Sequence, residues 1–189
     1  MRLFVGIELP DRLTASLADP LRDLEGIDGV STVDPDGAHL TLSFLGETDP
    51  ARVPALERAL ETAVAAAGSE PFSVTFEGVG AFPRRAFPRV VWVGVSTGGE
   101  ELSRMQAAID EALTSGGFEP SSHDEFIPHV TLARVRDREA HGVVRSFLED
   151  ADPFVGTMTV DRIAVIESTV TPSGSRYETV STVRLGECP

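Results

Sequence analysis

The chain contains no lysine. All sixteen of its cations are arginines, set against thirty acidic residues, for a formal net charge of −14. A surface of that sign repels polyanions at low salt, which argues against nonspecific binding along a nucleic-acid backbone as the main activity. Without lysine there is no P-loop, and no His-Glu-x-x-His pattern occurs. The one cysteine, Cys188, stands next to the C-terminus. That excludes a disulfide framework and any cysteine-built zinc site. No apolar run reaches the length of a membrane span. The apolar stretch at the N-terminus is too short for a signal peptide, and Glu8 and Pro10 close it. The expectation is a soluble cytoplasmic protein with no membrane contact.

What is present describes a globular domain. The chain has 189 residues, 41% of them hydrophobic and 24% charged. A chain of that length can bury most of its apolar surface unaided. The acidic, lysine-free composition resembles that of proteins from salt-loaded cytoplasm, where dense counterions screen self-repulsion. An arginine-rich coding bias is the plainer reading.

Periodicity gives the order of elements. Residues 3–7 are a strand. Residues 12–24 read as a helix with Asp11 as N-cap and Leu13, Leu17, Leu21 and Leu24 on one stripe. Residues 34–37, Asp-Pro-Asp-Gly, are turn chemistry. Residues 39–45 alternate as a strand, 51–67 form a helix, and 72–76 alternate again. A Gly, Pro and Arg segment comes next, over 78–89. The second half repeats this order, with strand 89–95, helix 100–113, polar loop 119–125, strand 128–134, helix 138–148, and strands 154–159 and 163–166. Residues 177–185 alternate weakly. The order strand, helix, strand, helix, strand, twice, predicts a duplicated, bilobal fold. The pseudo-repeat halves run over about 1–80 and 89–168 of one domain spanning 1–189. A C-terminal segment, 176–185, is free to pair across the lobes.

Two of only four histidines lie in the same pattern. His39-Leu40-Thr41-Leu42 and His129-Val130-Thr131-Leu132 are both His-x-Thr-Leu, on strands, at the same place in each repeat. Chance supplies such a pair in roughly one chain in a few thousand. Period two puts His and Thr on one face and the apolar residues on the other. Imidazole titrates near neutrality, so one ring can take a proton from water while the other gives a proton to a leaving oxygen. The threonine hydroxyls can donate to non-bridging oxygens of a phosphate. The set suits an in-line displacement at phosphorus with no metal and no cofactor.

Other residues carry smaller expectations. Ser43 continues the face of His39 and Thr41 and is placed in the cleft, with a solvated strand serine as the alternative. Arg134 is a candidate phosphate or base contact, although strict alternation points it away and a bulge is required. Phe44 has the same parity and is assigned to the core. Arg84 and Arg85 read as a solvated loop pair that could attract RNA. Tyr177 could stack on a base, with packing between lobes as its main reading. His123 and His141 read as surface residues. A metal site from His123, Asp124 and His129 would consume the proposed base.

The paired motifs resemble the 2H phosphoesterase superfamily, and within it the RNA 2′,3′-cyclic phosphodiesterases, also called 2′-5′ RNA ligases. The resemblance extends over Arg2-Leu3-Phe4-Val5, residues 39–47, Phe82-Pro83 with residues 89–95, residues 128–134, and Glu167-Ser168, Gly174 and Tyr177-Glu178. It implies an α+β fold with two antiparallel sheets forming a central cleft, helices on the outer faces, and one His-x-Thr strand from each lobe. It implies hydrolysis of a 2′,3′-cyclic phosphate at an RNA 3′ end to a 2′-phosphate, and possible reverse 2′-5′ ligation. His39 would then be the general acid and His129 the general base, with Thr41 and Thr131 on the phosphate. Chemistry alone leaves the acid and base assignment open. The alternatives are a phosphodiesterase on a small cyclic nucleotide or 2′-5′ oligonucleotide, and a noncatalytic RNA-end-binding module. The expected partner is therefore an RNA 3′ end or cyclic nucleotide as substrate, with a monomeric chain and no obligate protein partner.

Overall fold

The computed structural model describes residues 1–68, 70–121, 125–171 and 174–186. Among the described residues, nine strands form one antiparallel sheet in the order β7-β4-β5-β6-β3-β1-β8-β9, with β2 paired to β6. The strands are β1 (Arg2–Glu8), β2 (Val30–Thr32), β3 (His39–Glu47), β4 (Phe72–Arg84), β5 (Phe87–Thr97), β6 (His129–Val135), β7 (Phe154–Val160), β8 (Arg162–Thr171) and β9 (Gly174–Arg184). The two lobes meet where β3 and β6 pair, in the register Leu40–Val130. One lobe is β3-β1-β8-β9 and the other β6-β5-β4-β7, so the fold is α+β and bilobal. The lobes are joined into one curled sheet rather than two separate ones.

The helices are α1 (Asp11–Ser16), α2 (Ala18–Arg22), α3 (Val53–Ala67), α4 (Gly99–Ser115) and α5 (His141–Asp150). The strands exchange between the halves of the chain. β4 pairs with β5 and β7, while β8 pairs with β1 and β9. The helices cross over as well: α4 packs on β3, and α1 packs on β7. One continuous core runs behind the sheet, from Leu3, Val5 and Ile7 through Leu40 and Leu42 to Val130 and Leu132. A second, small cluster of Phe4, Ala164 and Ile166 lies on the other face, the one that carries His39. No helix among the described residues is long and apolar enough to cross a membrane.

Several elements differ from the periodicity reading, each for a local reason. The helix expected over 12–24 is broken at Leu17 into α1 and α2. Pro20 has no N–H to give to the carbonyl four residues back, and its ring crowds that carbonyl. The N-cap of α1 is Pro10, not Asp11, and it makes no side-chain cap. The Gly, Pro and Arg segment over 78–89 is not a loop. It continues β4 and opens β5 as a long hairpin. Its glycines mimic a loop in sequence, yet Gly78 takes φ +71° at an irregularity between Glu77 and Val79. Gly80 leaves room for the Trp92 indole, whose Cη2 would overlap any Cβ placed there.

Candidate active site

The pairing of β3 with β6 builds the site. In an antiparallel pair centred on Leu40–Val130, His39 lies across from Thr131 and Thr41 lies across from His129. All four side chains stand on the face opposite Leu40 and Val130, which are buried to 0% and 1% exposure. The two histidines are diagonal neighbours, a relationship that leaves Cβ atoms somewhat less than about 7–8 Å apart. The threonines form the other diagonal. All four residues are half-buried.

Both rings are anchored the same way. His39 Nδ1 donates to the Gly37 carbonyl at 2.7 Å, and His129 Nδ1 donates to the Ile127 carbonyl at 2.6 Å. A carbonyl can only accept, so in the neutral ring the proton sits on Nδ1. Nε2 is then the nitrogen that takes or gives a proton. Sequence alone does not single out these carbonyls, although each stands two residues before its histidine.

The surroundings of the two rings differ. His39 packs against Phe4, with ring centroids 4.6 Å apart, and against Tyr177, also at 4.6 Å. His129 meets Phe82 edge-on at 4.9 Å and Trp92 at 5.9 Å. Burial pushes the His39 imidazole below its ordinary range. The Gly37 carbonyl opposes that shift, the charges of His129 and Arg134 reinforce it, and Glu8 opposes it. Glu8 is the register partner of His39 on β1, and its Oε1 accepts a hydrogen bond from Thr179 on β9 at 2.6 Å.

A bulge in each motif strand decides where the flanking residues point. In β3 the register steps from Ser43–Val5 to Thr41–Gly6, leaving Leu42 as the extra residue. In β6 it steps from Ala133–Val91 to Thr131–Trp92, leaving Leu132 as the extra residue. Facing parity reverses beyond each bulge. Ser43 therefore does not line the cleft. It is 4% exposed and donates to Asp110 Oδ1 of α4 at 2.7 Å. Arg134 is exposed and turned to the histidine face, near enough to His39 to act on its charge. Phe44, expected in the core, is 43% exposed.

The remaining candidates divide. Arg85 is exposed in the turn between β4 and β5, as expected, but its side chain is tied down. Its guanidinium donates to the carbonyls of Leu148 at 2.6 Å and Val79 at 2.5 Å, tying the β4–β5 hairpin to α5. Arg84 stacks over the Phe87 ring at 4.7 Å. His141 lies 6.3 Å from that same ring. Tyr177 packs within its own lobe, on Phe4 and His39. His123 and Asp124, and with them the metal alternative, lie outside the described residues. Among the described residues, no group of three or more His, Cys, Asp or Glu side chains could hold a metal ion.

The fold is shared with solved structures. A crystal structure of TT0787 from Thermus thermophilus superposes with a TM-score of 0.74 at 28% identity, covering 98% of both chains. That of E. coli LigT complexed with 3′-AMP gives a TM-score of 0.76 at 23% identity, again over 98% of both. Residues 4–171 match the family model of the 2′-5′ RNA ligase superfamily, and the chain belongs to that family. An RNA 2′,3′-cyclic phosphodiesterase of Archaeoglobus fulgidus is 35% identical over 94% of this chain and 97% of its own length. One from Aeropyrum pernix is 39% identical over 87% and 92%.

Proposed function

We propose that this protein hydrolyses 2′,3′-cyclic phosphate ends of RNA to 2′-phosphates by metal-independent, paired-histidine catalysis. The activity is that of its curated relatives, which match nearly its whole length. The observation that carries the mechanism is the common anchor of the two rings, Nδ1 to carbonyl, on strands paired at Leu40–Val130. It leaves Nε2 of each ring as the nitrogen that exchanges a proton, which supports a phosphate bound between the two.

The anion lies between the diagonal histidines, with Thr41 and Thr131 donating to its non-bridging oxygens. His129 Nε2 takes a proton from water as the water oxygen attacks phosphorus. The P–O3′ bond breaks, and His39 Nε2–H protonates the departing 3′ oxygen. The products are a 2′-phosphate and a free 3′-hydroxyl. Burial disfavours the charged form of His39, and the arriving anion supplies the charge that favours its protonation. A 5′-hydroxyl in place of water would give a 2′-5′ linkage from the same end.

The test is turnover of an oligoribonucleotide ending in a 2′,3′-cyclic phosphate, beside a cyclic mononucleotide, with EDTA present. The expected result is a 2′-phosphate product, unaffected by chelation. Loss of either imidazole, in His39→Ala or His129→Ala, is expected to cost at least about 10²–10⁴-fold in kcat, the usual worth of a positioned acid or base. Inactivation by EDTA would overturn the mechanism. Turnover of the mononucleotide alone would replace the substrate. Tight binding of 2′-phosphate ends without hydrolysis would replace the enzyme with a binding module.

A further inference from the structure

The centre of the cleft is nearly two-fold symmetric, with two His-x-Thr strands, two Nδ1 anchors and two bulges. Such a site gives a cyclic phosphate no reason to prefer one ring as acid. The flanking residues break the symmetry, and on the His39 side β9 takes part in this. Tyr177, paired in register with Ser168, projects its ring over His39. The two rings meet edge to face, 67° apart, with centroids 4.6 Å apart, and the same tyrosine meets Phe4 at 5.8 Å and 88°. Phe4 lies 4.6 Å from the imidazole and is itself 2% exposed. The three rings thus form a triangle, in which His39 packs on a buried phenylalanine and on a tyrosine that is 38% exposed.

The Tyr177 ring also covers the anchor. A Cβ added to Gly37 would fall 2.8 Å from Tyr177 Cδ2, so the ring lies directly on the glycine whose carbonyl holds His39 Nδ1. Gly37 does not have positive φ, so the backbone itself would accept alanine. It is the ring that leaves no space for a side chain. Thr179, two residues further along β9, holds Glu8, the register partner of His39. His129 has a different enclosure, built by Phe82 and Trp92.

We propose that Tyr177 is a positioning residue that makes the two histidines unequal: its ring roofs His39 and the Gly37 anchor, sheds water from them, and so fixes which imidazole performs which half of the proton transfer. The inference rests on the paired-histidine reading for its consequence, and on geometry alone for the roof. The charged groups facing His39 are Glu8 from β1, and His129 and Arg134 from β6. None of them changes when Tyr177 is replaced. The phenol oxygen has no part in the roof; the ring does.

The experiment follows the His39 ring resonances by NMR across pH in the full chain, for wild type, Tyr177→Phe and Tyr177→Ala. Tyr177→Phe is expected to superpose on wild type. Tyr177→Ala is expected to titrate higher, because water then solvates the imidazolium. Its kcat on a cyclic-ended oligoribonucleotide is expected to fall roughly ten- to a hundredfold through lost ring alignment, with little change in KM. Gly37→Ala, which lifts the roof from below while keeping Tyr177, is expected to move the titration the same way. It serves as the second variant if Tyr177→Ala does not fold. An unchanged His39 titration in Tyr177→Ala or Gly37→Ala would overturn the proposal, as would an equal shift in Tyr177→Phe. The titration needs no substrate. A wild type inactive on cyclic ends would therefore sink the functional reading without touching the roof.

Discussion

Phe44 and Arg134 occupy the same place in the two motif strands, five residues beyond His39 and His129. Each stands past a one-residue bulge, exposed on the histidine face. One is an apolar ring and the other a cation. The cleft is therefore symmetric at its centre and polar along its length. The Arg134 end lies near His39, where that charge acts on the ring. The Phe44 end lies on the side of Thr41 and His129, because β3 and β6 run antiparallel about Leu40–Val130.

Replacing Arg134 separates two effects of its charge. Arg134→Ala removes a guanidinium from beside an anion site, and KM for a cyclic end is expected to rise about tenfold. The same change removes a positive neighbour that disfavours the His39 imidazolium, so His39 should titrate higher. Steady-state kinetics and a histidine NMR titration on the one variant check both. A higher KM with an unmoved His39 would place Arg134 too far away to be felt by the ring.

The bulges also mark where the sequence pattern stops being informative. The His-x-Thr pairs are legible because residue identity at period two carries their geometry, and duplication then implies the strand pairing. A bulge leaves no comparable mark in the motif. Leu42 and Leu132 look like any inward strand residue, yet each shifts its strand by one and reverses the facing of the residues beyond it. Strict alternation therefore places Ser43 in the cleft when it faces α4, and Phe44 in the core when it faces solvent. Arg134 reaches the histidine face only with a bulge, and one is there. The exchange of β4 and β8 between halves is equally hidden, since periodicity identifies strands and not their partners. The enclosure of His39 needs residues from both β1 and β9, at opposite ends of the chain, as the Thr179–Glu8 bond does at a separation of 171. No local pattern announces such a contact.

Ser43 gives a test that divides support from chemistry. Its hydroxyl donates to Asp110, whose other oxygen accepts from Gln106 Nε2 at 2.5 Å, so the strand bearing His39 is tied to α4 immediately behind the bulge. Ser43→Ala would leave a partly buried carboxylate short of one donor, at a cost of about 1–3 kcal/mol. The expected outcome is a lower midpoint in urea with the slope unchanged, and KM for cyclic ends close to wild type. A KM that rises as it does for Arg134→Ala would return Ser43 to the cleft.

His39 also sets a pH dependence of folding. In the unfolded chain its imidazole is hydrated and titrates in the ordinary range. In the fold, burial holds it lower. Between those two midpoints the unfolded chain carries more protons than the folded one, so stability increases with pH across the window. The contribution is present in full above the unfolded value and is lost as pH falls through the folded one. His39→Gln removes the titrating group while keeping an amide that can still donate to the Gly37 carbonyl. Urea unfolding at a series of pH values below neutrality should therefore show a steeper acid loss in wild type than in His39→Gln. Phosphate should oppose that loss, because an anion in the cleft favours the charged ring. Parallel pH curves for the two proteins would mean that the ring reaches water in the folded state, and that Phe4 and Tyr177 do not enclose it.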